Sequence, residues 1–294
     1  MSSRYEDRQG IRLDFEVYGL ILQLAFYVML NFEMCAAQAA ISVLGVRNME
    51  NIYRSDLEQG IRMHDCISFD LLDTLIMRRV PNTSDVFSMV EQRLSPQITF
   101  PFCEYRIRSE KELVSQNIVP TLEGIYQYLA RLVNLSESDV QWLMQEELKA
   151  EREVLLPRRD MTDILRAAHD SGKTATILAD TYWSGILVRD LLQELGIHVY
   201  TMILSSADIG LTRENGLYSH YRALCGEDKR FMHIGDNPAK DGDLARENGI
   251  DTLLIPRALE QYRRDNPGSV IPQDLSTRRI LGEKIARQYN SPFS

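Results

Sequence analysis

The chain has 294 residues, 44% hydrophobic and 26% charged, the length and mix of one large or two ordinary globular domains. A net charge of −9 argues against a general binder of nucleic acid or of anionic membranes. Cys35, Cys66, Cys103 and Cys225 lie far apart with no C-x-x-C pair, which predicts small buried side chains in a reducing, cytoplasmic setting rather than a zinc site.

Residues 1–61 read as an N-terminal helical extension. The longest unbroken apolar run, Leu24 to Leu30, is far below the ~18 residues a membrane span needs. Glu16, Gln23, Asn31, Gln38 and Ser42 fall on one arc at 100° per residue, a narrow polar stripe on a mostly buried helix. Acidic residues outnumber Arg4, Arg8 and Arg12 at the start, unlike the basic opening of a signal peptide. The expectation is a helix over 15–45 packed on the main domain, on a second copy or on a partner.

Short apolar runs then alternate with helical patterns. The runs are Cys66–Phe69, Thr174–Ala179, Tyr200–Leu204, Phe231–Ile234 and Thr252–Ile255, and helical patterns start at Ser184, Gly216 and Lys240. Apolar strands separated by helices predict an α/β fold, a doubly wound parallel sheet covered on both faces, with its ligand crevice beyond the strands' carboxyl ends. This core covers residues 62–80 and 160–256. Between its first two strands, residues 81–159 read as a helical cap that moves against the sheet. "TSDVFSMVEQRL", "TLEGIYQYLARL" and "SESDVQWLMQEELKAEREV" carry its helix signals, with Ser136 and Asp139 at capping spacing. "RRVP" and "LPRRD" would be its two hinge strands. Residues 257–294 form a helical tail, whose seven basic and four acidic residues read mostly as solvated faces.

The chemistry gathers at the strand ends. "CISFDLLDTLIMRR" runs from an apolar strand into Asp70, and "HIGDNPAKDGDLARENGI" runs from a second strand into Asp236 and then Asp241. A turn into helix after Pro238 lets Asp236 and Asp241 converge, and with Asp70 they put three carboxylates in one crevice. Without a cation these would repel and their pKa values would rise. An oxygen-only donor set suits Mg²⁺. Arg78 and Arg79 either touch a phosphate from the hinge or form a solvated pair. Tyr182 and Trp183 either stack on a substrate or pack in the core or lid.

With these motifs the sequence resembles the haloacid dehalogenase-like (HAD) hydrolase superfamily over roughly residues 62–256, with a cap in the C1 position. "SFDLLDTLIMR" is most similar to a bacterial SFDxxDTL branch often found near surface-polysaccharide genes. The resemblance implies that Asp70 is a nucleophile that becomes an aspartyl phosphate. Asp70, the Leu72 carbonyl and Asp236 would hold Mg²⁺, Asp241 would complete or orient that site, and Thr74 would support the loop. It also implies a small phosphorylated substrate. Three departures stand out. Leu72 replaces the Asp that usually protonates the leaving group. Ala179, followed by Asp180, replaces the phosphate-binding Ser or Thr, with Thr181 a possible substitute. Arg213 replaces the usual Lys and presents a planar fork. Asp73 is expected to face away from Asp70 by strand alternation and to brace the loop. These implications give a slow Mg²⁺-dependent phosphohydrolase. The alternative is an impaired module that binds a phosphorylated ligand or a partner enzyme of surface-polysaccharide assembly.

Overall fold

A computed structural model describes residues 54–293. The expected helix over 15–45 lies outside them. The centre of the molecule is β1 (Cys66–Asp70), whose five residues are all buried. A strand covered on both faces has no use for polar alternation, which is why CISFD reads as one apolar run. Only two of its side chains break that run. Ser68 and Asp70 are polar, and both are hydrogen-bonded into the site.

β4 (Thr174–Ala179) pairs parallel with one edge of β1 and β6 (Phe231–Gly235) with the other. β5 (Met202–Ser205) and β7 (Asp251–Leu254) complete a five-stranded sheet of order β5-β4-β1-β6-β7. All four pairings are parallel, so each strand returns through a crossover, and the order reverses beside β1. That reversal opens a crevice outside the carboxyl ends of β1, β4 and β6. Asp70, Asp180 and Asp236 stand at those three ends. The five expected strands form within about two residues of their expected limits.

The insert is joined at its base. β2 (Ile76–Arg78) pairs antiparallel with β3 (Leu155–Pro157), bringing the two ends of the intervening chain together. Between them run helices Ser84–Leu94, Phe102–Ser115, Leu122–Val133 and Glu137–Val154. The last two start where the sequence signals a start. Thr121 Oγ1 accepts from Gly124 N–H at 3.0 Å, and Ser136 and Asp139 form a reciprocal capping box. The helix Phe102–Ser115 has no such local signal, since its N-cap is Pro101; its first turn is capped from the neighbouring helix, where Glu91 Oε2 accepts from Cys103 N–H at 2.8 Å.

Most of the tail's charged side chains are exposed, as expected, yet one face of it packs on the insert. Its helix Leu275–Gln288 lies across the base of the insert, where Arg278 Nε sits 2.7 Å from Oδ1 of the buried Asp85. Among the described residues no helix is long and apolar enough to cross a membrane.

Candidate metal and phosphoryl site

Asp70, Asp236 and Asp241 are all buried, and each offers a carboxylate oxygen within 4.8 Å of the other two. Their convergence has a local cause. After β6 the chain turns at Asn237, whose side-chain oxygen accepts from Ala239 and Lys240 N–H at 3.1 Å each, and Pro238 opens a π-helical turn. That turn swings Asp241 back under the strand end. Its Oδ2 accepts from the backbone N–H groups of Asp236 and Asn237 at 2.9 and 2.8 Å. The close return explains the glycine before Asp236: a Cβ at Gly235 would lie 2.3 Å from Asp241 Cγ.

Two guanidinium groups reach these acids. Arg213, buried, donates to Asp70 and to the Leu178 carbonyl, the latter at 3.1 Å, and its Nη1 lies 2.6 Å from Asp241 Oδ1. It therefore bridges two carboxylates, one at the end of β1 and one in the turn after β6, a task suited to a rigid fork. Arg257 donates to Asp236 and stands 3.9 Å from Asp73. His233 Nε2 donates to Asp241 Oδ1 at 3.2 Å, and its Nδ1 is 2.8 Å from Ser68 Oγ. Thr74 Oγ1 donates to Asp236 Oδ1 at 3.4 Å.

The electrostatics separate the three acids. Burial raises Asp70 above the ordinary carboxylate range, against the pull of Arg213. Burial, then repulsion from Asp70 and Asp73, pushes Asp236 up to about 8 despite Arg257. Burial also works against Asp241, but the His233 hydrogen bond and the Arg213 charge outweigh it and hold Asp241 low. The site thus has a firm anion at Asp241 and an under-compensated acid at Asp236. A small oxygen-seeking dication beside Asp70 and Asp236 fits this donor set, because it would relieve the repulsion that raises Asp236.

Several expected site residues take other places. Arg78 donates from Nε and Nη2 to the buried Glu151 at 2.8 Å each and stacks 5.5 Å from the Trp183 ring, so it is no solvated hinge charge. Trp183 is fully buried, so core packing describes it, whereas Tyr182 packs 4.7 Å from the Arg106 guanidinium and also lines the cavity at the strand ends. Ala179 is buried and supplies no hydroxyl. Thr181 and Asp180 line a cavity of about 590 Å³ between the strand ends and the insert, and Leu72 lies on its wall. Asp180 Oδ1 accepts from Ser206 Oγ at 2.7 Å, and its Oδ2 is 3.4 Å from Lys240 Nζ.

Asp73 corrects the expectation twice. It lies beyond β1 in a turn at φ 59°, a backbone conformation that favours glycine, so strand alternation does not govern it. Its side chain makes only a long ion pair with Arg257, at 3.9 Å, and the hydrogen bond that braces the loop is made by its backbone carbonyl, which accepts from Arg158 Nη1 at 2.6 Å. Arg158 is fully buried and also donates to the carbonyls of Pro256 and Asn290, at 3.1 and 3.0 Å. Arg158, Arg257, His233 and Ser206 were absent from the expected site. The visible signals were position alone: Arg257 follows the last strand, and His233 opens the motif that carries Asp236.

No family model matches this chain, and no curated protein matches it. Among solved structures it is similar to an L-2-haloacid dehalogenase from Xanthobacter autotrophicus, at 15% identity over 74% of this chain and 88% of that one, TM-score 0.49. It is also similar to a HAD family enzyme from Bacteroides thetaiotaomicron, at 12% identity over 69% and 98% of the two chains, TM-score 0.49. A HAD phosphatase from Thermococcus onnurineus matches at 16% identity over 70% and 99%, TM-score 0.43.

Proposed function

We propose that this chain is a HAD-type, Mg²⁺-dependent phosphohydrolase with a C1-type helical cap, acting on a small phosphate monoester in the cytoplasm. The observation that carries this reading is Arg213 bridging Asp70 and Asp241 beside a third buried acid, Asp236. Asp70, Asp236 and the Leu72 carbonyl would hold the ion. When bound, it would screen the repulsion between a carboxylate and a phosphate dianion.

Asp70 is the nucleophile. One of its oxygens attacks phosphorus, the bond to the leaving oxygen breaks, and water then cleaves the resulting aspartyl phosphate. Arg213 turns the Asp70 carboxylate and works against the burial that disfavours its ionised form. Asp241, itself fixed by two backbone N–H groups and His233, keeps Arg213 in place. Thr74 orients Asp236. Nothing at Leu72 can protonate the leaving oxygen, and such assistance is worth about 10²–10⁴ in rate.

Hydrolysis is therefore expected to depend steeply on leaving-group pKa. Acetyl phosphate and 4-nitrophenyl phosphate should turn over well ahead of alkyl phosphates, and Asp70→Asn should abolish all turnover. Metal-loaded protein that releases no phosphate above the Asp70→Asn control would defeat the reading. It would favour the second one, a non-catalytic module that binds a phosphorylated ligand, for which Leu72 and Ala179 speak. A dehalogenase would also tolerate Leu72, but it would leave the three-carboxylate cluster without a task.

A further inference from the structure

The cavity beside the strand ends carries its own charge pattern. Four ionisable groups on its wall, Arg78, Glu110, Glu214 and Lys240, join Asp180 there. Each belongs to a closed cluster. Arg78 is spent on Glu151, a neutral pair. Lys240 Nζ is shared between Glu214, at 2.7 Å, and Asp180, at 3.4 Å, so one cation faces two carboxylates. Arg106, behind the wall, is likewise shared between Glu147 at 2.7 Å and Glu110 at 2.9 Å. The last two clusters each keep one uncompensated negative charge, one on the core side and one on the insert side. Among the described residues, no cation on the cavity wall is without a carboxylate partner.

A substrate that brought a second anion into this space would have to break an existing pair or sit beside an excess carboxylate. Both cost more in a part-enclosed site than in water. An ammonium group would meet Glu214 or Glu110 at little cost. We propose that the cavity selects phosphate monoesters whose alcohol portion bears an amine, accepts neutral ones less well, and excludes those bearing a carboxylate or a further phosphate. Asp180, Glu214 and Lys240 set this choice from the core side. The proposal rests on the phosphohydrolase reading, which places the phosphoryl group at Asp70 and the alcohol portion in the cavity.

Binding of non-hydrolysable phosphonates tests it without requiring turnover. The probes are 2-aminoethylphosphonate, propylphosphonate and 2-carboxyethylphosphonate, of similar size and opposite charge. Calorimetry on the full Mg²⁺-loaded chain should rank them in that order, with on the order of tenfold between first and last, the size of one screened charge contact. Glu214→Lys should reverse the ranking, and the milder Glu214→Gln should narrow it. Equal or tighter binding of 2-carboxyethylphosphonate by the wild type, or failure of all three to bind, would overturn the proposal. Turnover of 4-nitrophenyl phosphate against the Asp70→Asn control judges the phosphohydrolase reading separately.

Discussion

Three acids at one site differ because their neighbours differ, and Asp236 is the one with least support. It is buried, it faces Asp70 and Asp73, and its one strong cationic partner is Arg257, which is 39% exposed. Its pKa of about 8 lies above that of an unfolded carboxyl, so in the folded protein without metal it holds its proton through neutral pH. The sign follows. Its contribution to stability is present at low pH and is lost as pH rises from the ordinary carboxylate range through about 8. On the proposed assignment a metal ion must displace that proton, so binding should release about one proton and weaken as pH falls below about 8. Calorimetric titration of Mg²⁺ in buffers of different ionisation enthalpy measures this directly. Heats that do not depend on the buffer would show that Asp236 is already ionised or takes no part. Much of this site was legible in the residues, since Asp70, Asp236 and Asp241 sit in two local motifs, each a strand end with its turn. Arg257 and Arg158 were not legible, because each meets its partner across the fold and no local spacing records it.

The least legible contact belongs to the tail, whose charged side chains lie mostly exposed, as their interspersed pattern suggests. One face of the helix Leu275–Gln288 nonetheless seats on the base of the insert through one close approach. At Gly282 an added Cβ would lie 2.4 Å from the Arg79 carbonyl oxygen and 2.6 Å from the Val80 Cα. Backbone cannot swing aside as a flexible side chain can, so the helix itself would have to lift. Around this contact Arg278 pairs with Asp85 on the first insert helix. Beyond the helix, the Asn290 side chain donates to the Pro157 carbonyl at 3.0 Å and accepts from Arg159 N–H at 3.1 Å. The tail therefore touches β2, β3 and the insert together, and it is tied to the site because Arg158 holds both Asn290 and the Asp73 turn. Gly282→Ala should destabilise the fold by about 1–3 kcal/mol, the usual cost of overpacking a tight contact, although alanine favours an isolated helix. Urea denaturation of the variant checks it, and an unchanged or raised midpoint would mean that the tail does not seat there. Strands could be read more readily than this contact because apolar runs between turns are local, whereas a glycine chosen for a neighbour far away in sequence looks like any other.

At the scale of the whole molecule, the question is whether the insert is a separate body. The helix-rich insert between two hinge strands suggests a cap that moves against the sheet. The apolar core, however, runs without a break from Ile67 and Phe69 in β1 through Trp183 to Phe87, Ile125 and Leu143 in the insert helices. Polar contacts cross the same boundary: Leu122 N–H donates to the Tyr182 carbonyl at 2.9 Å, and Arg78 and Glu151 lock the base of the insert. Opening this boundary exposes apolar surface at roughly 25 cal/mol per Å² and strands a buried ion pair. The insert is therefore expected to unfold together with the sheet in one transition rather than ahead of it. The two tryptophans make this measurable, since Trp183 is buried at the boundary and Trp142 lies on the insert helix Glu137–Val154. Trp fluorescence reports on the boundary and the insert, while far-ultraviolet circular dichroism reports on all the helices and the sheet. Their urea transitions should coincide in midpoint and slope. A fluorescence change that precedes the loss of most secondary structure would mean that the insert separates on its own, and the cavity would then be closed by a moving wall rather than built into a fixed one.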